Sequence, residues 1–331
     1  YKWNRRADDL QYRIAEKEYV EEMEDIAINI TSDFFELYLA QMNVENASFN
    51  VSINDSIYTI SQGRYKVGKI AENDLLQSEL QLLGAQTQLA NAKLEYERTA
   101  QQLKTSLGLP AQIKIEITPP AEAPQISVDP AMALEQANQN RSDLLSYDLQ
   151  QTNAERDLAQ AKSDAGLSAQ MTATFGYNQS GENIPDLYQD LLDQQFFNIS
   201  FQFPLFEWGR GNAEVEAARA EQKRIKNDIA LKEEEFNQEV YFQVREFHLL
   251  QKQLSIAAKA DTIAIRRFEV AKNRYLIGKI DITDLFDAQQ AKDAARRQYI
   301  QTLRNYWVLF YRLRRLTLYD FENDQPLEYR L

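Results

Sequence analysis

One seventeen-residue phrase occurs twice in this chain. Residues 64–80 read RYKVGKIAENDLLQSEL and residues 274–290 read RYLIGKIDITDLFDAQQ, an offset of 274 − 64 = 210 residues. Over the first twelve positions seven are identical, among them Arg64/Arg274, Tyr65/Tyr275, Gly68/Gly278, Lys69/Lys279 and Asp74/Asp284. Glycine suits the left-handed residue that ends a helix. Asn73 and Thr283 are suited to cap a following helix, with Asp74 and Asp284 in its electropositive first turn. Each copy is therefore expected to be the turn of a long antiparallel helical hairpin, and the chain carries two.

The flanking stretches agree. Residues 7–66 contain no proline and no glycine except Gly63. A seven-residue register runs through Ile30, Leu37, Val44, Val51, Tyr58 and Tyr65, and its counterpart through Val240, Phe247, Leu254, Asp261, Phe268 and Tyr275. Sustained heptads indicate helices packed along their length. A return helix is predicted over 74–107, with Leu75, Leu82 and Leu89 beside Leu76 and Leu83, ending at Gly108 and Pro110. A connector follows: a β-like IKIEI at 113–117, then Pro119, Pro120 and Pro124 before a cap-and-start pair, Asp129-Pro130. Two shorter helices are expected, over 130–139 and from Ser142 to Gly166.

The period then changes from helical to two. Leu167, Ala169, Met171, Ala173, Phe175 and Tyr177 share one face, with Ser168, Gln170, Thr172, Thr174, Gly176 and Asn178 on the other. After a polar stretch, Phe197, Ile199, Phe201, Phe203 and Leu205 alternate with Asn198, Ser200, Gln202 and Pro204. Strands with an apolar face and an uncharged polar face fit a transmembrane barrel, and Phe206 and Trp208 stand where an interfacial aromatic girdle belongs. A half-buried hairpin of a soluble sheet has the same pattern, but here there is no other sheet to join. The chain thus divides into 1–108, 109–166, 167–208, 209–318 and a polar tail, 319–331.

Composition excludes several function classes. The net charge of −13 opposes nucleic acid. Mean hydropathy is −0.54, and no apolar run approaches the roughly 20 residues of a membrane helix. Cysteine is absent, so disulfides reveal nothing of the compartment. The one histidine, His248, is expected to be a packing or solvent-facing residue, since a catalytic base needs partners. Phosphate loops and Cys/His clusters are missing. No enzyme, cofactor or metal is implied. The run Glu21, Glu22, Glu24, Asp25, like Glu233, Glu234 and Glu235, reads as ordinary solvated helix surface. Tyr1-Lys2-Trp3-Asn4-Arg5 echoes Phe206-Glu207-Trp208-Gly209-Arg210. Because two strand-like segments precede Phe206, another strand pair is expected upstream of Tyr1, which would make this chain a piece lacking an N-terminal section.

Together these residues resemble the TolC-like outer-membrane efflux proteins. The likeness covers nearly the whole chain: the duplicated Arg-Tyr-x-x-Gly-x-x-x-x-x-Asp-Leu turn, Arg141-Ser142-Asp143-Leu144-Leu145 before the strands, and Phe203-Pro204-Leu205-Phe206-Glu207-Trp208-Gly209 after them. The resemblance implies a homotrimer in the bacterial outer membrane with a long periplasmic extension. Each family chain gives four strands to a shared twelve-stranded β-barrel and its long helices to an α-barrel. Residues 109–141 and the tail would belong to an equatorial band. The turns Val67-Gly68-Lys69-Ile70 and Ile277-Gly278-Lys279-Ile280 would form the mouth and meet a periplasmic adaptor, which links the duct to an inner-membrane pump. Asp284 and Asp287 fall on the aspartates that narrow the family's mouth. Asp74 is kept too, but the family's arginine partner is replaced by Ile280, leaving Lys279 or Lys69 as substitutes. Asp284 also has a plain role as a helix-start acid, Lys69 and Lys279 as helix-end cations, and both glycines as turn residues. The resemblance implies a passive exit duct; a soluble coiled-coil scaffold is the alternative.

Overall fold

A computed structural model describes residues 2–118, 126–178, 192–202 and 208–328. It is mainly helical: α1 (Lys2–Lys66), α2 (Glu72–Ser106), α3 (Pro130–Asn140), α4 (Ser142–Asp164), α5 (Arg210–Leu276) and α6 (Ile282–Thr317). Two strands, β1 (Ser168–Asn178) and β2 (Leu192–Gln202), form one hairpin. A second, very short pair, β3 (Tyr319–Asp320) and β4 (Gln325–Pro326), follows α6. Among the described residues no helix is long and apolar enough to cross a membrane.

The chain forms two compact units. One holds residues 1–15 and 142–235, the other 16–141 and 236–331. In the first, Ala7, Leu10 and Ile14 of α1, Ala154 of α4 and Ile229 of α5 are buried, whereas every residue of β1 and β2 is exposed.

The second unit holds two clusters. The larger joins Phe35 and Tyr38 of α1, Ala133 and Ala137 of α3, Val240, Val244 and Phe247 of α5, and Tyr306, Phe310 and Leu313 of α6. Phe247 stacks on Tyr306 at 5.2 Å between ring centroids. The connector closes over this cluster with Ile126 and Val128. Asp129 caps α3 as the sequence indicates, accepting from the Met132 amide at 3.0 Å, with Pro130 at the first helical position. The β-like IKIEI segment, however, is irregular. No neighbouring strand edge is available among the described residues, and Ile117 packs on the core instead.

The acidic run near Glu21 corrects the surface reading. Glu21 and Glu24 are buried, Glu22 is exposed and Asp25 lies between. Residues 21 and 24 continue the lines 7/14 and 10, so helical position rather than residue type decides their burial. Arginines make that burial tolerable. Arg314 holds Glu24 through two hydrogen bonds of 3.1 and 3.0 Å and reaches Asp320 at 3.4 Å; Arg315 pairs with Asp25 at 2.6 Å. Glu233, Glu234 and Glu235 are exposed, as expected.

The heptad line of α5 is buried at all six positions, 240, 247, 254, 261, 268 and 275. Its α1 counterpart is not. There Leu37 alone of the six is buried, Ile30, Val44, Val51 and Tyr58 are half-buried and Tyr65 is exposed, while the buried line runs through Ala40, Ala47, Asn54 and Ser61 with Asn50 and Ile57. The seam of α1 is small and polar because its asparagines reach across helices. Asn50 donates to Asp293 of α6 at 2.7 Å, and Asn54 donates to the Gln81 carbonyl of α2 at 3.4 Å.

Candidate functional site

Both duplicated segments adopt the same turn. The Gly68 amide donates to Tyr65 O and the Lys69 amide to Arg64 O, each at 2.9 Å; Gly278 and Lys279 repeat this on Tyr275 and Arg274 at 2.9 Å. This paired closure is the Schellman arrangement, with the glycine at its left-handed position, φ +73° and +72°. A Cβ at either glycine would meet nothing within 4 Å, so backbone conformation and not crowding demands glycine there. The outgoing caps differ from the sequence expectation. Ala71 precedes α2 and Asp281 precedes α6; Asn73 and Thr283 lie inside the helices. Asp281 accepts from the Asp284 amide at 3.0 Å, whereas Ala71 provides no side-chain cap.

Beneath the turns Ile57 of α1, Phe268 and Tyr275 of α5 and Ile282, Leu285 and Phe286 of α6 form the smaller apolar cluster. Arg64 ties the two turns together. Its Nη2 donates to the carbonyls of Tyr275 (3.3 Å) and Leu276 (3.4 Å), and its guanidinium lies 5.1 Å from the centre of the Tyr275 ring. The last carbonyls of a helix carry its negative dipole end, so a cation there is favourable. Sequence reasoning singled out Arg64 only as a repeat position.

Of the predicted turn residues, Val67, Gly68, Lys69, Ile277, Gly278 and Lys279 are exposed, and Ile70 and Ile280 are half-buried. Asp284 and Asp287 project from the exposed face of α6. Asp74 is half-buried and lines a crevice with Arg64, Lys69, Ile280 and Asp281. The crevice thus brings Asp74 and Lys69 to one place but leaves Asp284 and Asp287 outside it.

Further along the same helices lies a polar cluster that no motif announced. Asp261, on the otherwise apolar seam of α5, pairs with Arg296 of α6 at 2.9 Å. Burial pushes its carboxyl pKa up, with Arg296 and Lys292 pulling it partly back. Lys292 sits between the Phe49 and Phe268 rings, 4.6 and 4.9 Å from their centres. His248 is half-buried on α5 and borders a shallow depression with Phe242, Arg245 and Leu249. Among the described residues no group of His, Cys, Asp and Glu is placed to hold a metal ion.

The strands pair antiparallel over their whole length, Ser168 opposite Gln202 and Asn178 opposite Leu192. Opposed residues share a face. Ala169, Met171 and Ala173 therefore stand with Phe201, Ile199 and Phe197 on one apolar face. Towards Asn178 and Leu192 the alternation breaks. Phe175 and Tyr177 face Gln195 and Asp193, while Phe196 and Leu192 fall on the polar face with Thr174 and Asn178. Leu167 is exposed just before β1; Phe203, Leu205 and Phe206 lie outside the described residues. Trp208 is fully exposed.

A family model described as "Outer membrane efflux protein" matches residues 1–109 and 133–317. No curated protein sequence matches the chain. Among solved structures, the chain is similar to the Campylobacter jejuni CmeC outer membrane channel, with a TM-score of 0.77 and 19% identity over 100% of this chain and 69% of that one. It is similar to the Vibrio cholerae outer membrane protein VceC, at 0.72 and 17% over 98% and 75%. The open state of the Neisseria gonorrhoeae MtrE outer membrane channel gives 0.71 and 16% over 99% and 72%. At these identities the likeness is one of fold.

Proposed function

We propose, on the premise that this chain belongs to the outer membrane efflux protein family, that it is the passive exit duct of a tripartite efflux or secretion system. The family and its structural neighbours are outer-membrane channel proteins, not enzymes. In this reading the chain works as a homotrimer. Its strands complete a lipid-facing β-barrel, and its helices line the periplasmic duct. The two turns meet the adaptor, and the inner-membrane pump supplies the energy.

One observation carries the reading. The β1–β2 hairpin has two 11-residue strands, with an apolar face left uncovered among the described residues. A two-stranded hairpin is marginal alone in water, and about 9–11 residues is the span of a transmembrane strand. Lipid on one face and further barrel strands at both edges satisfy both needs. Uncovered apolar lines on the helices support assembly: Phe242, Leu249, Ile256, Ile263, Val270 and Ile277 recur every seven residues along α5 and its turn, all exposed. Asp284 and Asp287 would then ring the mouth and favour cations.

The test is the mass of the whole protein in detergent by light scattering, with conductance in planar bilayers. A trimer that conducts is expected. A water-soluble monomer without conductance would overturn the reading.

A further inference from the structure

The turn repeat is satisfied on one side only. Within the chain, Arg64 of the first turn clamps the Tyr275 and Leu276 carbonyls of the second and covers the Tyr275 ring. Shifting by the repeat offset of 210 residues turns Arg64 into Arg274, Tyr275 into Tyr65 and Leu276 into Lys66. All three counterparts are exposed, and among the described residues the Arg274 guanidinium forms no hydrogen bond or ion pair.

The apolar surroundings show the same asymmetry. Ile53 of α1 packs on the cluster containing Phe268, Tyr275, Leu285 and Phe286, which are 3%, 4%, 0% and 6% exposed. The shifted counterpart of Ile53 is Ile263, 58% exposed. The counterparts of its four partners are Tyr58, Tyr65, Leu75 and Leu76. Tyr65 and Leu76 are 42% and 50% exposed, and Tyr58 and Leu75 are half-buried. Apolar character persists in register on both surfaces, but the chain covers only one of them. The correspondence is incomplete at Ser61, whose hydroxyl lies 3.5 Å from that of Tyr275, because its counterpart is Ala271.

We propose that the partner on this surface is a second copy of the chain. Its first hairpin docks against the second hairpin of its neighbour, repeating the in-chain junction between chains. Arg274 of one copy donates to the Tyr65 and Lys66 carbonyls of the next and covers that Tyr65 ring, while Ile263 enters the cleft of Tyr58, Tyr65, Leu75 and Leu76. Such a contact is head-to-tail: donor and acceptor surfaces differ and each copy carries both. Head-to-tail contacts close into a ring when the rotation allows. The inference rests on the ring reading above and adds to it the residues that join copies at the mouth.

The chain has no cysteine, so introduced pairs report cleanly. Tyr65→Cys with Arg274→Cys, in the whole protein in detergent and treated with a short bismaleimide, should give covalent dimers and higher ladders. Either single variant should not. Arg64→Cys with Tyr275→Cys is the ruler, because it spans the same contact within one chain and should link without raising the mass. If light scattering shows an oligomer and the ruler links but the Tyr65/Arg274 pair does not, the clamp is wrong and the ring reading survives. A monomeric mass sinks the ring reading itself. Should the double variant not accumulate, Arg274→Glu alters only an exposed side chain. It should make the oligomer dissociate at lower temperature, and unchanged dissociation overturns the clamp.

Discussion

Replacing Arg296 with Met removes the cation held by Asp261 and tests the packing of the α5–α6 seam. Asp261 is 5% exposed, its Oδ2 is paired with Arg296 at 2.9 Å, and its Oδ1 has no hydrogen-bond partner. Breaking a fully buried pair costs roughly 3–5 kcal/mol. Here the Arg296 side chain is 31% exposed and Lys292 remains nearby, so about 2–3 kcal/mol is expected. The double variant Asp261→Leu with Arg296→Met should recover most of that loss, because Leu restores the apolar line of Leu254 and Phe268. The assay is hydrogen exchange of the peptides around residues 254–275, which reads the opening free energy locally. A pH series adds a signed check. Burial raises the Asp261 pKa from the ordinary 3.8. The contribution of this group is therefore fully present below 3.8 and is lost as pH rises through the folded value. Asp261→Asn should remove that loss. The reasoning fails if Arg296→Met leaves exchange unchanged, or if the double variant is as damaged as the two single changes added together.

Three further outcomes follow from the turns, the mouth and the caps. Gly68→Ala and Gly278→Ala should each cost about 1–2 kcal/mol, from the left-handed φ rather than from crowding; thermal melts showing no loss would contradict the turn geometry. Asp284→Ala with Asp287→Ala should reduce cation preference in single-channel reversal potentials, and unchanged selectivity would remove both from the constriction. Asp281→Ala should destabilise the start of α6 by about 1 kcal/mol, read as faster amide exchange at Asp284. Ala71→Gly should not weaken the start of α2 and should strengthen it slightly, because Ala71 caps nothing by its side chain and glycine is the better N-cap.

The hairpin turns were legible because a glycine at a left-handed position and a repeated sequence leave little choice of backbone. The α5 seam was legible for the same kind of reason: six apolar or paired residues at strict heptad spacing found partners in their own chain. The α1 seam was misplaced beyond Leu37 because Val44, Val51 and Tyr58 lie only at its half-buried margin, and the line that packs is built from Ala40, Ala47, Asn54 and Ser61. Periodicity of hydrophobicity cannot reveal a seam made of asparagine and serine. Glu21 and Glu24 were misread for a related reason. Arg314, which makes the burial of Glu24 tolerable, lies 290 residues away. The caps moved from Asn73 and Thr283 to Ala71 and Asp281 because helix starts are the least determined part of a pattern. The β3–β4 pair gave no periodic signal at two residues per strand. Towards Asn178 and Leu192 the strands lose strict alternation, so that Phe196 and Gln195 exchange the faces their chemistry suggests.

In the proposed duct one face of the β1–β2 hairpin meets lipid while the other meets water inside a barrel. Spin labels placed singly along 169–175 and 196–201 in proteoliposomes test it directly, through collision with oxygen, which concentrates in lipid, and with a water-soluble nickel chelate. A period of two is expected, with oxygen favoured at 169, 171, 173, 197, 199 and 201 and the chelate at 170, 172, 198 and 200. Equal access to the chelate at every position would contradict it.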